Sequence, residues 1–158
     1  MREIKLTQGQ VALVDNEDYA WLNQWKWYGL KYYDYSFLAA RKLNSNVILM
    51  HRVIMNTPVD LVVDHKDHNT LNNQKFNLRN CTQSQNGGNR TPSIGNTSKY
   101  KGVSWYRQTQ KWIAYIRKDG RRAHLGYFTN EQDAALAYNV AALLHFGEFA
   151  LVNNITVN

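Results

Sequence analysis

Asp64 and His65 stand side by side in the polar segment VVDHKDHNTLNNQKFNLRNCTQSQN, residues 62–86. Hydrolysis of a phosphodiester needs a water nucleophile and a cation that offsets charge on the leaving oxygen. The His65 imidazole can act as general base near neutral pH, and the Asp64 carboxylate can bind a hard cation such as Mg²⁺. An Asp-His pair alone is weak evidence. The spacing strengthens it, because Asn77 follows His65 by twelve residues, within Asn-Leu-Arg, and Asn86 closes the segment.

This pattern resembles the HNH endonucleases, specifically the homing-type branch that carries Asp-His, Asn and Asn on a ββα-metal fold. The resemblance implies that Asp64 and Asn86 ligate the metal, that His65 activates water and that Asn77 orients the histidine. It also implies Mg²⁺ as the cofactor, with Mn²⁺ as a substitute. It places Asn77 at the start of the helix that follows the hairpin and Asn86 within that helix. Members often have Gly-Asn where this chain has His68-Asn69, and we interpret His68 as a bystander rather than a phosphate contact.

The positive charge of the chain is concentrated in one stretch. The 158 residues have a net charge of +7, and residues 99–128, with eight basic side chains and one acidic side chain, equal that whole charge. Residues 129–158 carry three acidic side chains and no Lys or Arg. Clustered Lys and Arg gain by releasing condensed counterions from phosphates. The distribution therefore favours a polyanion as partner over a merely solvated basic surface.

Alternating residues predict three strands in that basic stretch, over 100–106, 111–117 and 122–128, with turns at 108–110 and at Asp119-Gly120. One face of the predicted sheet is apolar and carries Val103, Trp105, Trp112, Ala114, Ile116, Ala123, Leu125 and Tyr127. The opposite face is basic and aromatic and carries Ser104, Tyr106, Lys111, Tyr115, Arg117, Arg122 and His124. An apolar face needs a cover, so a further element is expected to pack on it.

A helix is expected to provide that cover. Thr129 and Gln132 have the spacing of a capping box, and Gly147 is placed to end the helix. Small and apolar residues recur between them at helical spacing, namely Ala134, Ala137, Ala141 and Leu144. The alanines would let the helix lie close to the sheet.

The motifs YKGVSW, KWIAYIR, HLGYF, DAALAYNVAALLHFG and LVN, all within residues 100–153, resemble the ethylene-response-factor (Apetala-type) DNA-binding domain. The resemblance implies a three-stranded sheet that lies in the major groove of double-stranded DNA. Carried over by position, the DNA contacts are Lys101, Ser104, Tyr106, Lys111, Tyr115, Arg117, Arg122 and His124. Plant members often carry Arg or Trp at positions that here hold Ser104, Tyr106 and His124. The DNA sequence that the plant members recognise is therefore not expected to be the target of this chain. Binding of a protein by the sheet edge is the competing interpretation.

The remaining sequence sets the predicted domain limits. Residues 1–56 form a mixed region that supports the nuclease, with strands at Val11–Val14 and Trp25–Leu30, a short helix capped by Asn16, and a hairpin around Asn44-Ser45-Asn46. Trp21, Trp25 and Trp27 are expected in its core, and His51 is interpreted as structural. The nuclease then occupies residues 57–90. A linker at 91–98 leads to the DNA-binding domain at 99–153.

Composition excludes several classes of protein. The single cysteine removes any disulfide framework and any cysteine-rich zinc site. The N-terminal residues have no apolar signal region and no run reaches membrane-spanning length. We therefore expect a cytoplasmic protein, without structural zinc and without membrane contact.

Together these observations predict an α+β protein with two domains. Its predicted function is metal-dependent hydrolysis of DNA, of the kind found in phage and mobile-element endonucleases. A monomer is expected, which would nick one strand at a time. Two alternatives stay open: a DNA-binding regulator whose nuclease centre is inactive, and a nuclease directed at RNA.

Overall fold

The computed structural model describes residues 1–33, 36–92 and 95–155. Within these residues the chain has four α-helices and four small antiparallel sheets, so the predicted α+β class is confirmed. The chain divides into two compact units, Met1–Thr82 and Gln83–Asn158.

The first unit contains three of the sheets. Two are hairpins, formed by β1 (Arg2–Lys5) with β2 (Val11–Val14) and by β6 (Val62–His65) with β7 (Leu78–Cys81). The third has the order β3-β4-β5, with strands Tyr28–Tyr33, Ser36–Leu43 and Asn46–Leu49. Asn44 and Ser45 have φ of 46° and 69°. Positive φ at both central residues is the geometry of a tight hairpin turn, so the predicted hairpin is confirmed.

Two short helices complete the first unit, α1 (Asn16–Leu22) and α2 (Met50–Ile54). The N-cap of α1 is Asp15, with no side-chain cap hydrogen bond, so the predicted capping by Asn16 is wrong. The Asp15 carboxylate instead accepts hydrogen bonds from Gln74 Nε2 and from the backbone N–H of Lys75. The strand predicted from Trp25 begins only at Tyr28. Residues 23–27 are the connection from α1 to that strand.

The hydrophobic core of the first unit gathers side chains from β1, β2, α1, β4 and α2, and its buried members are Ile4, Leu6, Ala12, Val14, Leu22, Trp27, Ala39 and Met50. Trp27 is fully buried and donates its indole N–H to Leu22 O at 2.8 Å. Trp21 packs against this core from a partly buried position. Trp25 is 39% exposed, with the Arg41 guanidinium 4.4 Å from its ring. Its predicted place in the core is therefore wrong.

The second unit contains α3 (Gln83–Asn89), a three-stranded sheet and α4 (Glu131–Phe146), which a 3₁₀ turn at Gly147–Phe149 follows. The strands are β8 (Val103–Tyr106), β9 (Lys111–Lys118) and β10 (Arg121–Phe128), in the order β10-β9-β8. Ala134, Ala135, Tyr138, Ala141, Ala142 and Phe146 of α4 are buried, in clusters that also contain Val103, Ala114 and Ile116. The predicted sheet packed on one helix is confirmed.

The ends of α4 differ in part from their prediction. Asn130, and not Thr129, caps the helix, because its side chain accepts from the backbone N–H of Gln132 at 2.7 Å. Gly147 ends it as predicted, with φ of 53°. Leu144 is 80% exposed, so its assignment to the buried stripe is wrong.

A bulge in β10 changes one face assignment. The pairing with β9 shifts register between His124 and Gly126, so Tyr127 pairs with Ile113 and Phe128 with Trp112. An extra residue reverses the alternation beyond it. Phe128 therefore packs against the core, whereas Tyr127 is exposed beside His124, with ring centroids 4.7 Å apart. The predicted inward position of Tyr127 is wrong.

Helix α3 packs against the rest of the second unit and is hydrogen-bonded to it at several points. Lys101 Nζ donates to the carbonyls of Gly87 and Gly88, at 3.3 and 2.5 Å. The Leu151 N–H donates to Gly88 O, and the Asp119 N–H donates to Ser84 Oγ. Gly88 faces Phe146 so closely that an added Cβ would lie 2.7 Å from that ring. These contacts make α3 a structural part of this unit.

This packing predicts how truncation affects the second unit. A fragment of residues 83–158 should fold alone and be more stable than a fragment of residues 96–158. The shorter fragment loses the bonds of Lys101 and the contact between Gly88 and Phe146, which together contribute about 2 kcal/mol and roughly 10 °C in melting temperature. Thermal unfolding followed by circular dichroism measures the difference. Equal melting temperatures would contradict the role assigned to α3.

Candidate functional site

Asp64 and His65 are the last two residues of β6, where the strand ends against β7. The hairpin register pairs Asp64 with Arg79 and His65 with Leu78. Both functional side chains are buried, at 4% and 7% exposure. Buried charged or titratable residues at a strand end are seldom retained for packing, since their desolvation opposes folding.

The Asp64 carboxylate is paired with a guanidinium. Arg79 Nη2 and Nε donate to Asp64 Oδ2 at 2.7 and 2.8 Å. Both side chains are largely withdrawn from solvent, so each relies on the other for charge compensation. The Arg79 contact fixes the orientation of the carboxylate.

His65 lies in an environment that favours its neutral form. Burial lowers the pKa of His65, and the nearby Asp67 and Asp64 carboxylates and a hydrogen bond with the Asn73 side chain offset that effect only in part. Asn73 is fully buried. A neutral imidazole held in one orientation is the form that can accept a proton.

The loop between β6 and β7 is organised by Asp67 and Asn77. Asn77 Nδ2 donates to Asp67 Oδ1 at 2.9 Å and to Asn72 O, and its Oδ1 accepts from the Asp67 N–H. Burial raises the pKa of Asp67, but hydrogen bonds from Asn72, Asn69 and Asn77 hold it below its usual value. His68 sits in this loop with φ of 64°, a conformation that favours glycine, which is the residue common at this position in the resembling family.

For two of the four predicted nuclease residues, Asn77 and Asn86, the structure changes or extends what the sequence predicts. Asn77 directly precedes β7, so its predicted location at the start of a helix is wrong. Asn86 does lie within a helix, α3, which belongs to the second compact unit. Asp64, His65 and Asn77 lie together in the first unit. The chemical roles of all four residues stay predictions.

His51, predicted to be structural, is a neighbour of His65. The two ring centroids are 5.2 Å apart with the planes at 88°, an edge-to-face contact. Burial, together with the nearby charges of His65 and Arg52, lowers the pKa of His51 to about 3. No spacing rule predicts this contact, because α2 and β6 meet only in the folded chain.

The pKa of His51 predicts a pH-dependent stability. A histidine whose pKa is lower in the folded state than its ordinary 6.5 stabilises fully above pH 6.5 and loses that contribution as the pH falls. The unfolding free energy should therefore fall by about 1.4 kcal/mol per pH unit between pH 6 and 4 on account of His51. His51→Phe, which keeps a ring at this position, should lack this component. Urea unfolding of both proteins at several pH values tests it, and equal pH slopes would contradict it.

The basic and aromatic face of the second unit points away from the core, as the alternation predicts. All predicted contact residues except Lys101 lie on the outward face of the sheet, and these are Ser104, Tyr106, Lys111, Tyr115, Arg117, Arg122 and His124. The Arg122 guanidinium lies 3.5 Å from the centre of the Tyr115 ring. Tyr127 joins this face, with its ring 5.6 Å from that of Tyr106. Lys101 instead holds α3, and a contact of Lys101 with DNA stays a prediction.

Similar proteins were found among viruses, phages and plants. The chain is 33% identical over 149 residues to an uncharacterized HNH endonuclease of Acanthamoeba polyphaga mimivirus, which covers 94% of this chain and 77% of that protein. It is 30% identical over 93 residues to Protein 3.8 of Escherichia phage T7, covering 59% of this chain and 76% of that protein. It is also 39% identical over 57 residues to APETALA2-like protein 2 of Oryza sativa, covering 36% of this chain and 13% of that protein. No family model matches the sequence.

The chain belongs to the HNH endonuclease family, and it contains in addition a stretch similar to APETALA2-like proteins. Both resemblances stated from the sequence motifs are thereby confirmed. No helix among the described residues is both long enough and apolar enough to cross a membrane.

Proposed function

We propose that this protein is a divalent-metal-dependent DNA endonuclease, targeted to duplex DNA by the sheet of its second unit. The observation that carries the proposal is the buried Asp64-His65 pair at the end of β6, in a chain of the HNH endonuclease family. Asn77 and Asn86 complete the proposed set of functional residues.

His65 is the proposed general base. Its burial keeps the imidazole neutral, and the loop held by Asn77 and Asp67 follows it directly, so that Asn77 orients His65 through this loop. The neutral ring accepts the proton of the attacking water, and the carboxylates of Asp67 and Asp64 stabilise the imidazolium that results.

Asp64 and Asn86 are the proposed metal ligands. Carboxylate and carboxamide oxygens are the donors that Mg²⁺ prefers, and Mn²⁺ accepts the same set. Among the described residues no group of three or more His, Cys, Asp and Glu side chains could hold a metal ion. Mg²⁺ suits such a sparse set, since it usually keeps several waters and takes only one or two carboxylates. When bound, the metal would stabilise negative charge on the scissile phosphate and the leaving oxygen.

The order of elements supports a ββα-metal nuclease. The β6–β7 hairpin carries Asp64 and His65, and α3, which follows along the chain, carries Asn86. We assign this succession of two strands and a helix to the ββα-metal arrangement of the family.

The outward face of the β8–β10 sheet is the proposed DNA contact surface. Arg117, Arg122 and Lys111 supply positive charge for phosphates, and the outward-facing tyrosine and histidine rings supply surfaces for bases and sugars. Lys101, which precedes β8, is a further proposed phosphate contact. The viral and phage origins of two relatives support a role in a phage or other mobile element.

Conversion of supercoiled plasmid to nicked circle tests the proposed function. The full chain should nick the plasmid in Mg²⁺ and stop when EDTA removes the metal. It should leave RNA intact. Tight binding without nicking would favour the DNA-binding regulator, and preferential cleavage of RNA would favour the RNA nuclease.

Salt dependence tests the DNA contact surface. The logarithm of the affinity falls with the logarithm of the salt concentration by about 0.9 per phosphate neutralised. Replacing Arg117 and Arg122 by Ala should therefore flatten the slope by about 1.8. The neighbouring cross-strand pair, Lys118 and Arg121, points to the opposite face and is the matched control, whose double Ala variant should keep the parental slope. Equal slopes for the two double variants would contradict the assignment.

A further inference from the structure

Arg41 carries a positive charge for which the fold provides no counter-charge. Its side chain is partly buried, and its Nε is buried without a hydrogen-bond partner. Among residues 1–33, 36–92 and 95–155, no group forms a hydrogen bond or an ion pair with its guanidinium. Arg79, by contrast, is paired with Asp64. Withdrawing a charge from water without such a partner opposes folding.

Two tryptophans hold the Arg41 guanidinium in place. Its Cζ lies 4.4 Å from the centre of the Trp25 ring and 5.7 Å from the centre of the Trp27 ring. Trp27 is fully buried in the core of the first unit, whereas Trp25 is 39% exposed. The alternation of β4 places Arg41 on the same face as the buried Ala39. Arg41 therefore lies at the rim of the core, between a buried ring and a ring that reaches solvent.

This position suits recognition of an anion better than it suits packing. Stacking on aromatic rings orders the planar guanidinium before any partner binds, so less conformational freedom is lost when a partner arrives. The rigid fork of N–H donors matches two oxygens of a phosphate. The tryptophan rings supply no such oxygens, and the donors of the ordered side chain stay unsatisfied. A bound phosphate would supply both the acceptors and the counter-charge.

We propose that Arg41, stacked on Trp25 and Trp27, binds a phosphate of the DNA backbone near the candidate active site. This inference rests on the proposed function, which makes DNA the anion that reaches the first unit. It adds to that function a phosphate contact outside the β8–β10 sheet. The fold keeps Arg41 at a cost in stability, and that cost is offset when DNA supplies the counter-charge.

The strand pairing limits how far Arg41 lies from the candidate active site. Arg41 is paired with Ile48, which precedes His51 by three residues. The Cα atoms of Arg41 and His51 are therefore at most about 16 Å apart. The ring of His51 is in turn 5.2 Å from that of His65. Since each strand of DNA advances about 3.4 Å per nucleotide, the phosphate bound by Arg41 is expected within roughly six nucleotides of the scissile phosphate.

Arg41→Met tests the contact in the full chain, because Met keeps an apolar side chain beside the tryptophans and removes the charge. Its melting temperature should equal or exceed that of the parental chain, since an uncompensated charge is gone. Its affinity for duplex DNA, measured in EDTA to prevent cleavage, should fall roughly 10- to 100-fold. The log–log salt slope should flatten by about 0.9. Lys42→Met is the matched control, since Lys42 is exposed on the opposite face of β4 and should keep the parental affinity and slope.

The salt slope decides between a phosphate contact and a structural role. An unchanged slope in Arg41→Met, whatever its melting temperature, would overturn the proposal, and so would an equal loss of affinity in Lys42→Met. A parental chain that does not bind duplex DNA would overturn the proposed function and this inference with it. Parental binding together with an unchanged Arg41→Met would overturn this inference alone.

Neutral phosphate substitutions locate the contact. Single methylphosphonates are placed in turn in a duplex whose nick has been mapped with the parental chain. One of them, within roughly six nucleotides of the nick, should weaken binding by the parental chain as much as Arg41→Met does. The same substitution should weaken binding by Arg41→Met no further, because the two changes remove one interaction. Additive losses at every position would overturn the contact.

Discussion

His65→Ala should lower the nicking rate by roughly 10²–10⁴-fold, the usual contribution of a general base. The change removes the imidazole and leaves Asp64, Arg79 and the sheet of the second unit in place. Affinity for duplex DNA should therefore remain parental in a gel shift. Single-turnover nicking of plasmid in Mg²⁺ measures the rate.

His68 offers a matched control for that experiment. It is an imidazole in the same loop, three residues away, and it has φ of 64°. His68→Asn keeps a residue that tolerates this backbone conformation. It should nick at close to the parental rate, because His68 is interpreted as a bystander. A large loss of nicking in His68→Asn together with a small loss in His65→Ala would identify His68, and not His65, as the general base.

Asp64→Ala should reduce nicking at least as strongly as His65→Ala, since it removes a metal ligand and with it the charge stabilisation of the leaving oxygen. It should also destabilise the first unit, because Arg79 is left as a largely buried guanidinium whose carboxylate partner is gone. Breaking a buried pair in this way costs about 3–5 kcal/mol. Urea unfolding and nicking assays measure the two effects.

The two effects of Asp64→Ala can be separated by a double variant. Replacing both Asp64 and Arg79 by Leu removes both members of the ion pair, and such replacement is often neutral or stabilising. The double variant should therefore regain stability but not nicking. Restored nicking in it would exclude Asp64 as a metal ligand.

Most of the second unit can be predicted from the sequence because the residue patterns that specify its elements are local. The alternation of 111–117 and the Asp119-Gly120 turn specify a hairpin, and both turn residues have positive φ, of 49° and 76°. The bulge near Gly126 could not be predicted in this way, because an extra residue inverts the alternation of faces without leaving a sequence pattern of its own. Tyr127 was misplaced for this reason, and Phe128 rather than Tyr127 fills the core.

Less of the first unit can be predicted, because its important contacts join residues that are far apart in the sequence. The Asp64-His65 pair could be found from adjacency and spacing. The contact between His51 and His65 could not, because it depends on how α2 packs near β6. The pairing of Asp64 with Arg79 follows from the register of the β6–β7 hairpin, for which the sequence carries no local turn signal. The family resemblance predicts a helix that starts at Asn77, whereas Asn77 directly precedes β7, because a resemblance between short motifs does not fix where an element begins.

The most direct test of the central claim is the dependence of nicking rate on DNA concentration, measured in Mg²⁺ for the parental chain, His65→Ala and Arg117→Ala. If cleavage resides at His65 and targeting on the outer sheet face, His65→Ala lowers the maximal rate and keeps the half-saturating DNA concentration. Arg117→Ala should raise the half-saturating concentration and recover the parental rate at saturating DNA. Nicking by His65→Ala at the parental maximal rate would contradict the assignment of the HNH centre and require a different active site.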